Sequence, residues 1–312
     1  MSGDGGLRVL VNPVGIDAAI GPAFLTRCFA SPWTDGLYRW YLQRPFGGEL
    51  PDRLILMDGA GAVAGCGVVY RQLRTPDGEV HRVSVVVAAC TLPSARGRGC
   101  YARVLQAAVE RSAVRGCAAL LGFVTADNAT GRGLQRLGAA AIPSTYLVSR
   151  DRPRFPGAGI LRLRDAKVAD DWSVRAEARL RPEAAPAGFH YPDASAWRSQ
   201  MVERPHDVQS LRIGATCRAV IEGVGDTDRL QWLDGDGRER LAAIRAIVAR
   251  ALCRGRKFFM YSTCPHEAAA ARRLGLAAHR GYMMALALQA GHDSSVRDWP
   301  RMSWVVQSGD RM

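Results

Sequence analysis

The sequence predicts a mixed α/β chain of the α+β kind. It is read as two lobes of the same element order, each a mixed, mostly antiparallel central sheet flanked by helices. Three observations predict this. Hairpin signals, Asp58-Gly59-Ala60-Gly61 and Asp77-Gly78, join strand-like runs in the first half, which favours antiparallel pairing. An apolar run over residues 83–90 gives way to a glycine–arginine loop at 93–101 and then to a helical pattern from about Ala102. The second half repeats the order, and Arg136-Leu137-Gly138-Ala139-Ala140-Ala141 matches Arg273-Leu274-Gly275-Leu276-Ala277-Ala278, with Tyr146 and Tyr282 following. Pro153, Pro156, Gly157 and Gly159 mark a linker, which divides the chain into lobes 1–150 and 151–312.

The elements follow from local spacing. Residues 7–11 read as a short strand. Residues 15–30 carry helical spacing up to Ser31-Pro32-Trp33, and a second helix with Leu37, Trp40 and Tyr41 ends before Pro45-Phe46-Gly47-Gly48. Residues 53–57 and 62–70 form a hairpin, and 82–91 follow the next turn. Past the loop, 102–115 form an amphipathic helix stopped by Gly116, 118–124 a buried strand, 128–137 a short helix stopped by Gly138, and 144–149 a strand. In the second half 217–224 and 229–233 pair as strands. A helix over 238–253 ends at Gly255, a strand covers 257–261, a helix over 266–274 ends at Gly275, and the last strand covers 281–288.

Composition narrows the function. The formal net charge is +13 over 312 residues, and only Lys167 and Lys257 are lysines, so arginine carries the charge. The arginines are scattered rather than striped, which argues against nucleic-acid binding and leaves an anionic substrate, cofactor or acidic carrier protein. The N-terminus has no signal-peptide pattern and no apolar run spans a bilayer, so a soluble cytoplasmic protein without membrane contact is expected. None of the eight cysteines forms a C-x-x-C pair, and His266-Glu267 lacks the second histidine of H-E-x-x-H, so no metal site is expected.

The loop concentrates the chemistry. Gly97 and Gly99 let backbone N–H groups turn toward an anion, the following helix points its positive end there, and Arg96 and Arg98 add charge. Residues 97–102 also fit G-x-G-x-x-A, the dinucleotide pattern. However, a spacer precedes the first glycine and the upstream strands are hairpin-joined, against a Rossmann unit. The second repeat carries Asp234-Gly235-Asp236-Gly237-Arg238-Glu239 at the same place, and its acids would repel a phosphate.

Arg96-x-x-Gly99, preceded by Thr91-Leu92-Pro93 and followed by Asp127-Asn128 and Leu134-Gln135-Arg136-Leu137-Gly138, resembles the signature of the GNAT superfamily of acyl-CoA-dependent N-acyltransferases. Residues 40–47 resemble a segment of bacterial GNAT-like proteins linked to polysaccharide or specialised metabolism. The resemblance implies two tandem GNAT-like domains, an active N-terminal lobe and a degenerate C-terminal one. It implies acetyl-CoA, or another acyl-CoA, as co-substrate. The backbone of Arg96, Gly97, Arg98, Gly99, Cys100, Tyr101 and Ala102 would hold its pyrophosphate, Thr91 and Leu92 would pair with the pantetheine arm, and Asn128 would sit near the thiol while also able to cap its helix. Tyr101 replaces the last small residue of the signature. The family's tyrosine acid falls on Leu134 or Gln135, neither of which can protonate a thiolate.

Acyl transfer needs a neutral amine, a polarised carbonyl and a stabilised thiolate. An N–H near Leu92 is the candidate for the carbonyl, Glu79 and His81 for the base, and Tyr146 for the acid; Cys100 is the nearby thiol. Trp33, Trp40, Tyr41, His190, Tyr191, Trp197 and Trp304 are candidates for the acceptor pocket. The acceptor expected is a small-molecule amine such as an amino sugar or specialised metabolite. An acyl carrier protein or aminoacyl-tRNA donor, and a non-catalytic acyl-CoA-binding or scaffold role, remain as alternatives.

Overall fold

The computed structural model describes residues 6–59, 61–149, 186–214, 216–235, 237–288 and 293–311. The linker expected near 151–159 and Asp236 of the acidic loop lie outside them. The first half runs β1 (Arg8–Val11), α1 (Ile16–Ile20), α2 (Pro22–Phe29), α3 (Asp35–Leu42), β2 (Asp52–Asp58), β3 (Gly61–Arg74), β4 (Val80–Thr91), α4 (Cys100–Val114), β5 (Ala119–Thr125), α5 (Ala129–Arg136) and β6 (Ala140–Val148). The second runs β7 (Gly188–His190), α6 (Ala194–Met201), β8 (Asp207–Ile213), β9 (Cys217–Val224), β10 (Thr227–Asp234), α7 (Gly237–Cys253), β11 (Lys257–Ser262), α8 (Pro265–Arg273), β12 (Ala277–Ala287) and α9 (Asp293–Asp298). β7, α6 and β8 have no counterpart in the sequence reading; their short runs lack a sustained period.

The strands form one mixed sheet in the order β1-β2-β3-β4-β5-β12-β6-β11-β10-β9-β8, with β7 beside the far end of β3. The order shows an exchange. β6 and β12 occupy equivalent places in the repeat, yet β12 pairs with β5 and β6 pairs with β11, while the two exchanged strands pair with each other. Each half therefore completes the other's sheet. Gly281 on β12 permits this at its tightest point, because a Cβ there would meet the Tyr146 ring at 2.3 Å and the Val124 carbonyl at 2.9 Å.

Two ion-pair systems fasten helices to the sheet. Asp52 on β2 is 1% exposed and accepts from Arg111 Nε (2.5 Å) on α4 and Arg115 Nε (3.3 Å) at its C-cap, from the Tyr70 hydroxyl (2.5 Å) and from Asn12. Burial alone would raise its pKa, but these hydrogen bonds hold the carboxyl well below the usual range. In the second half Arg204 donates to Glu222 at 2.9 Å with both side chains buried, and Gln231 satisfies the same carboxylate.

Candidate functional site

β4 and β5 are parallel neighbours only over Val83–Val85 and Ala119–Leu121, and then separate. A β-bulge in β4 lies just past the separation. Pairing with β3 slips between Gly65 and Gly67, and Ala88 adopts a left-handed φ of 49°. Gly67 allows the close approach there, since a Cβ would meet Leu42 at 2.3 Å and Val87 at 2.9 Å. Past the bulge the Leu92 N–H donates to the Val63 carbonyl on β3 (2.9 Å). Strand alternation then turns the backbone polar groups of Thr91 the other way, into the gap.

The gap opens into a cleft of about 450 Å³ between β4, the loop and α5. Gly97 (φ 80°) and Gly99 (φ 73°) shape the loop, and Gly99 is the N-cap of α4. The first backbone bond across this end runs from Arg103 N to Gly99 O, which leaves the N–H groups of Cys100, Tyr101 and Ala102 outside the helix ladder. Phe29, Arg96, Tyr101 and Asn128 line the walls, and Cys28 and Cys90 the floor, where a thiol–thiol hydrogen bond lowers the pKa of Cys28 and raises that of Cys90. The Thr91 hydroxyl is buried without a hydrogen-bond partner.

The equivalent gap in the second half is filled. β10 and β11 are parallel over Thr227–Leu230 and Lys257–Met260, and the β10 register then shifts before Trp232. The C-terminal segment enters here. Gln307 Oε1 accepts from Leu233 N (2.6 Å), its Nε2 donates to Leu233 O (3.1 Å), and Ser308 Oγ accepts from Tyr261 N (2.9 Å).

A split parallel pair, a bulge just past the split and a glycine cradle at the following helix form a specific three-dimensional pattern. The "tandem GNAT protein from the clavulanic acid biosynthesis pathway" superposes over 90% of this chain and 98% of its own, with a TM-score of 0.61 at 13% identity. A GCN5-related N-acetyltransferase from Kribbella flavida covers 92% of this chain and 72% of its own (TM-score 0.59, 14% identity). One from Sphaerobacter thermophilus covers 90% and 96% (TM-score 0.56, 16% identity). The chain has the GNAT fold. No family model and no curated protein matches the sequence, so the likeness is one of fold.

Within the GNAT fold the candidate residues separate into groups. Thr91, Arg96, Gly97, Gly99, Cys100, Tyr101 and Asn128 line one cleft. Asn128 caps α5, accepting from Thr130 N at 2.7 Å, so its capping and lining positions coincide. Tyr101 reaches across to α5, where a Cβ on Gly133 would stand 3.7 Å from its ring. Leu92, Arg98 and Ala102 stand outside the lining. Leu92 is buried and its N–H is taken, so Thr91 rather than Leu92 offers the strand N–H. The Arg98 guanidinium lies 2.7 Å from Asp58 on the β2–β3 turn, and Ala102 is exposed in the first turn of α4. The Cys100 side chain is 1% exposed and belongs to the core.

Glu79 and His81 are placed elsewhere. They lie at the Thr75–Glu79 turn, where His81 Nε2 is 3.4 Å from the Thr75 hydroxyl and 3.5 Å from Glu79. At about 3.3 Å per residue, the strand carries His81 roughly 25 Å from Ala89, so neither reaches the cleft. Tyr146 lies over Gly281, against Tyr261 (ring centroids 5.1 Å), Phe259 (6.3 Å) and the Arg311 guanidinium (5.1 Å). Burial raises its pKa, with Arg311 acting in the opposite sense.

The aromatic candidates also divide. Trp33 joins Phe29, a cleft residue, to Tyr41, with centroids at 5.7 and 5.3 Å. Trp40 donates to the Glu203 carbonyl (2.9 Å), Trp197 meets Trp232 edge to face, and Trp304 donates to the Trp299 carbonyl (2.7 Å); these three are buried packing residues. Tyr191 is buried between Arg71 and Asp310, and His190 sits on β7, its pKa lowered by burial and by Arg74. Arg229 and Arg311, which stand beside the Phe259 ring, carry no local signal that distinguishes them among the 40 arginines of the sequence. Among the described residues no group of His, Cys, Asp and Glu could hold a metal ion, and no helix is long and apolar enough to cross a membrane.

Proposed function

We propose that the chain is an acyl-CoA-dependent N-acyltransferase that moves an acetyl group from acetyl-CoA to a primary amine of a small molecule. One observation carries this reading. The split between β4 and β5 leads directly onto a glycine cradle with open N–H groups and a buried, unpartnered Thr91 hydroxyl, which fits a thioester arm ending in a pyrophosphate. In this reading residues 1–150 supply the donor cleft, and 151–312 form a degenerate lobe whose own gap is plugged by residues 307–308.

The Thr91 N–H would polarise the thioester carbonyl. The amine nitrogen attacks that carbon, the C–S bond breaks, and the departing sulfur takes a proton. Tyr146 is assigned as its donor, since its burial favours the protonated phenol at neutral pH and its ring lies over Gly281, the partner of Thr125 at the end of β5. The described lining of the cleft holds neither carboxylate nor imidazole, so the amine is taken to arrive neutral and to lose one proton to water, from which the Tyr146 phenolate regains its own.

The test is a thermal-shift series with acetyl-CoA, longer acyl-CoAs and free CoA, followed by thiol release across an amine panel. Ligand at a hundredfold its Kd should stabilise by about 2.7 kcal/mol. No stabilisation by any of them removes the reading, and binding without thiol release moves it to a non-catalytic acyl-CoA-binding protein.

A further inference from the structure

A second polar region lies on the sheet face that carries Phe123, Tyr146 and Tyr261, where the two halves meet. The aromatic chain from the cleft, Phe29–Trp33–Tyr41, leads to it from one side, and Phe123, just past the last β4-paired residue of β5, leads to it from the other through Tyr261 (5.8 Å). Two arginines from the second half converge there. Arg229 on β10 stands 6.0 Å from the Phe259 ring, and Arg311 stands 5.1 Å from the same ring and 5.0 Å from Tyr261. Tyr41 feels both guanidinium charges.

The charges here cancel only in part, because Glu222, opposite Arg229 across β9 and β10, attracts it from beyond ion-pair distance. Asp310 is engaged by the Tyr191 hydroxyl and Gln307 N–H and faces Arg71; Glu222 is engaged by Arg204 and Gln231. Among the described residues neither Arg229 nor Arg311 has a carboxylate within ion-pair distance, and the Arg311 Nε is buried without a hydrogen-bond partner. Two like charges beside one ring, partly out of bulk water and with no carboxylate at ion-pair distance among the described residues, favour an anion that joins them. Tyr41, Phe123, Phe259, Arg229 and Arg311 are each only partly buried, so none is sealed into the core.

We infer that this recess selects the acceptor: the amine carries an anionic oxygen group, held by Arg229 and Arg311, which turns its nitrogen toward the β4–β5 split. The inference rests on the acyltransferase reading for the amine, but the anion site stands on its own geometry. The aromatic floor suits a planar carboxylate or a phosphate on a hydrophobic or sugar body, since a guanidinium held flat against a ring keeps its N–H edge for a bidentate anion.

The experiment has two arms on full-length protein, the first saturated with CoA so that the glycine cradle is filled, the second with saturating acetyl-CoA as donor. In the first, thermal stabilisation is measured with benzoate and with inorganic phosphate, for wild type, Arg229→Gln, Arg311→Gln and Arg229→Lys. Stabilisation of the wild type that disappears in both Gln variants, and is partly kept in Arg229→Lys, supports the site; benzoate against phosphate tells which oxyanion it prefers. No anion effect, or an equal effect in the Gln variants, overturns it. The CoA-induced shift of each variant shows that it is folded and that the donor cleft is intact, so failure here is distinct from failure of the acyl-CoA reading. In the second arm, matched amines are compared, phenylalanine against phenethylamine and glucosamine 6-phosphate against glucosamine. At least a tenfold higher kcat/KM for an anionic member, carried by KM and lost in Arg311→Gln, is expected. Equal or better use of the neutral partners overturns the inference.

Discussion

Gly97→Ala together with Gly99→Ala puts the proposed donor site to a quantitative test. Both glycines sit in the left-handed region, at φ 80° and 73°, and a Cβ on either would meet nothing within 4 Å. The double variant therefore keeps its packing and pays only in backbone strain, about 1–2 kcal/mol for each residue. If the loop holds its shape, the cost appears as lost stability, and at roughly 2–4 °C per kcal/mol the melting temperature falls by about 4–16 °C. If the loop relaxes, the cradle must be rebuilt on binding, and 2 kcal/mol alone weakens the Kd for CoA by about 30-fold. In either case the new methyl groups stand in the open space at the N-terminus of α4 that a pyrophosphate has to enter. Gly116→Ala is the control. It has the same kind of strain (φ 71°), the same open surroundings, and a position at the opposite end of α4, so it should lower stability without touching affinity. Titration calorimetry with CoA on the three proteins decides. A double variant whose Kd stays within twofold of wild type would falsify a pyrophosphate on this loop.

Other expectations follow from the same geometry. Asp52→Asn should cost about 2–4 kcal/mol in chemical denaturation, discounted because Arg111 and Arg115 can rehydrate. Because the Asp52 pKa is depressed in the folded protein, its contribution is complete above the unfolded value near 4 and is lost as pH falls through the folded one; the gap between wild type and variant should start to narrow below about pH 4, and a constant gap would refute the ion-pair account. Calorimetry should count one CoA per chain, and two would mean that the segment carrying Gln307 and Ser308 can be displaced from the second gap. Tyr146→Phe should lower kcat about 100-fold with CoA affinity unchanged, and an unaltered kcat would remove Tyr146 as the acid. The wild-type rate should climb with pH toward the pKa of the amine itself, and a plateau near pH 6.5 would point to a histidine base that the cleft geometry does not contain.

Local backbone chemistry was legible in the residues. The turns at Asp58–Gly61 and Asp77–Gly78, the helix stops at Gly116, Gly138, Gly255 and Gly275, and the positive φ at Gly97 and Gly99 depend on a few neighbouring residues, and sequence spacing reports them directly. The repeat signal rests on the same kind of local residue, the glycine stops at Gly138 and Gly275. The start of α7 is acidic at Glu239, and the gap beside β10 is filled by Gln307 and Ser308.

What only the tertiary structure decided are choices between partners distant in the chain. β6 and β12 have the same period and burial demand, so nothing local says that each pairs with the other half's strand; packing decides, with Gly281 making room for Tyr146. Arg96 and Arg98 are equivalent loop cations in sequence, but Asp58, 40 residues away, engages Arg98 and leaves Arg96 in the cleft wall. Glu79 and His81 have suitable chemistry for a base, yet the length of β4 carries them to the wrong end. Arg229 and Arg311 become informative only once the fold brings them to one aromatic ring. Short-range conformational preference is written along the chain, whereas the pairing of charges and strands is a property of the packed molecule.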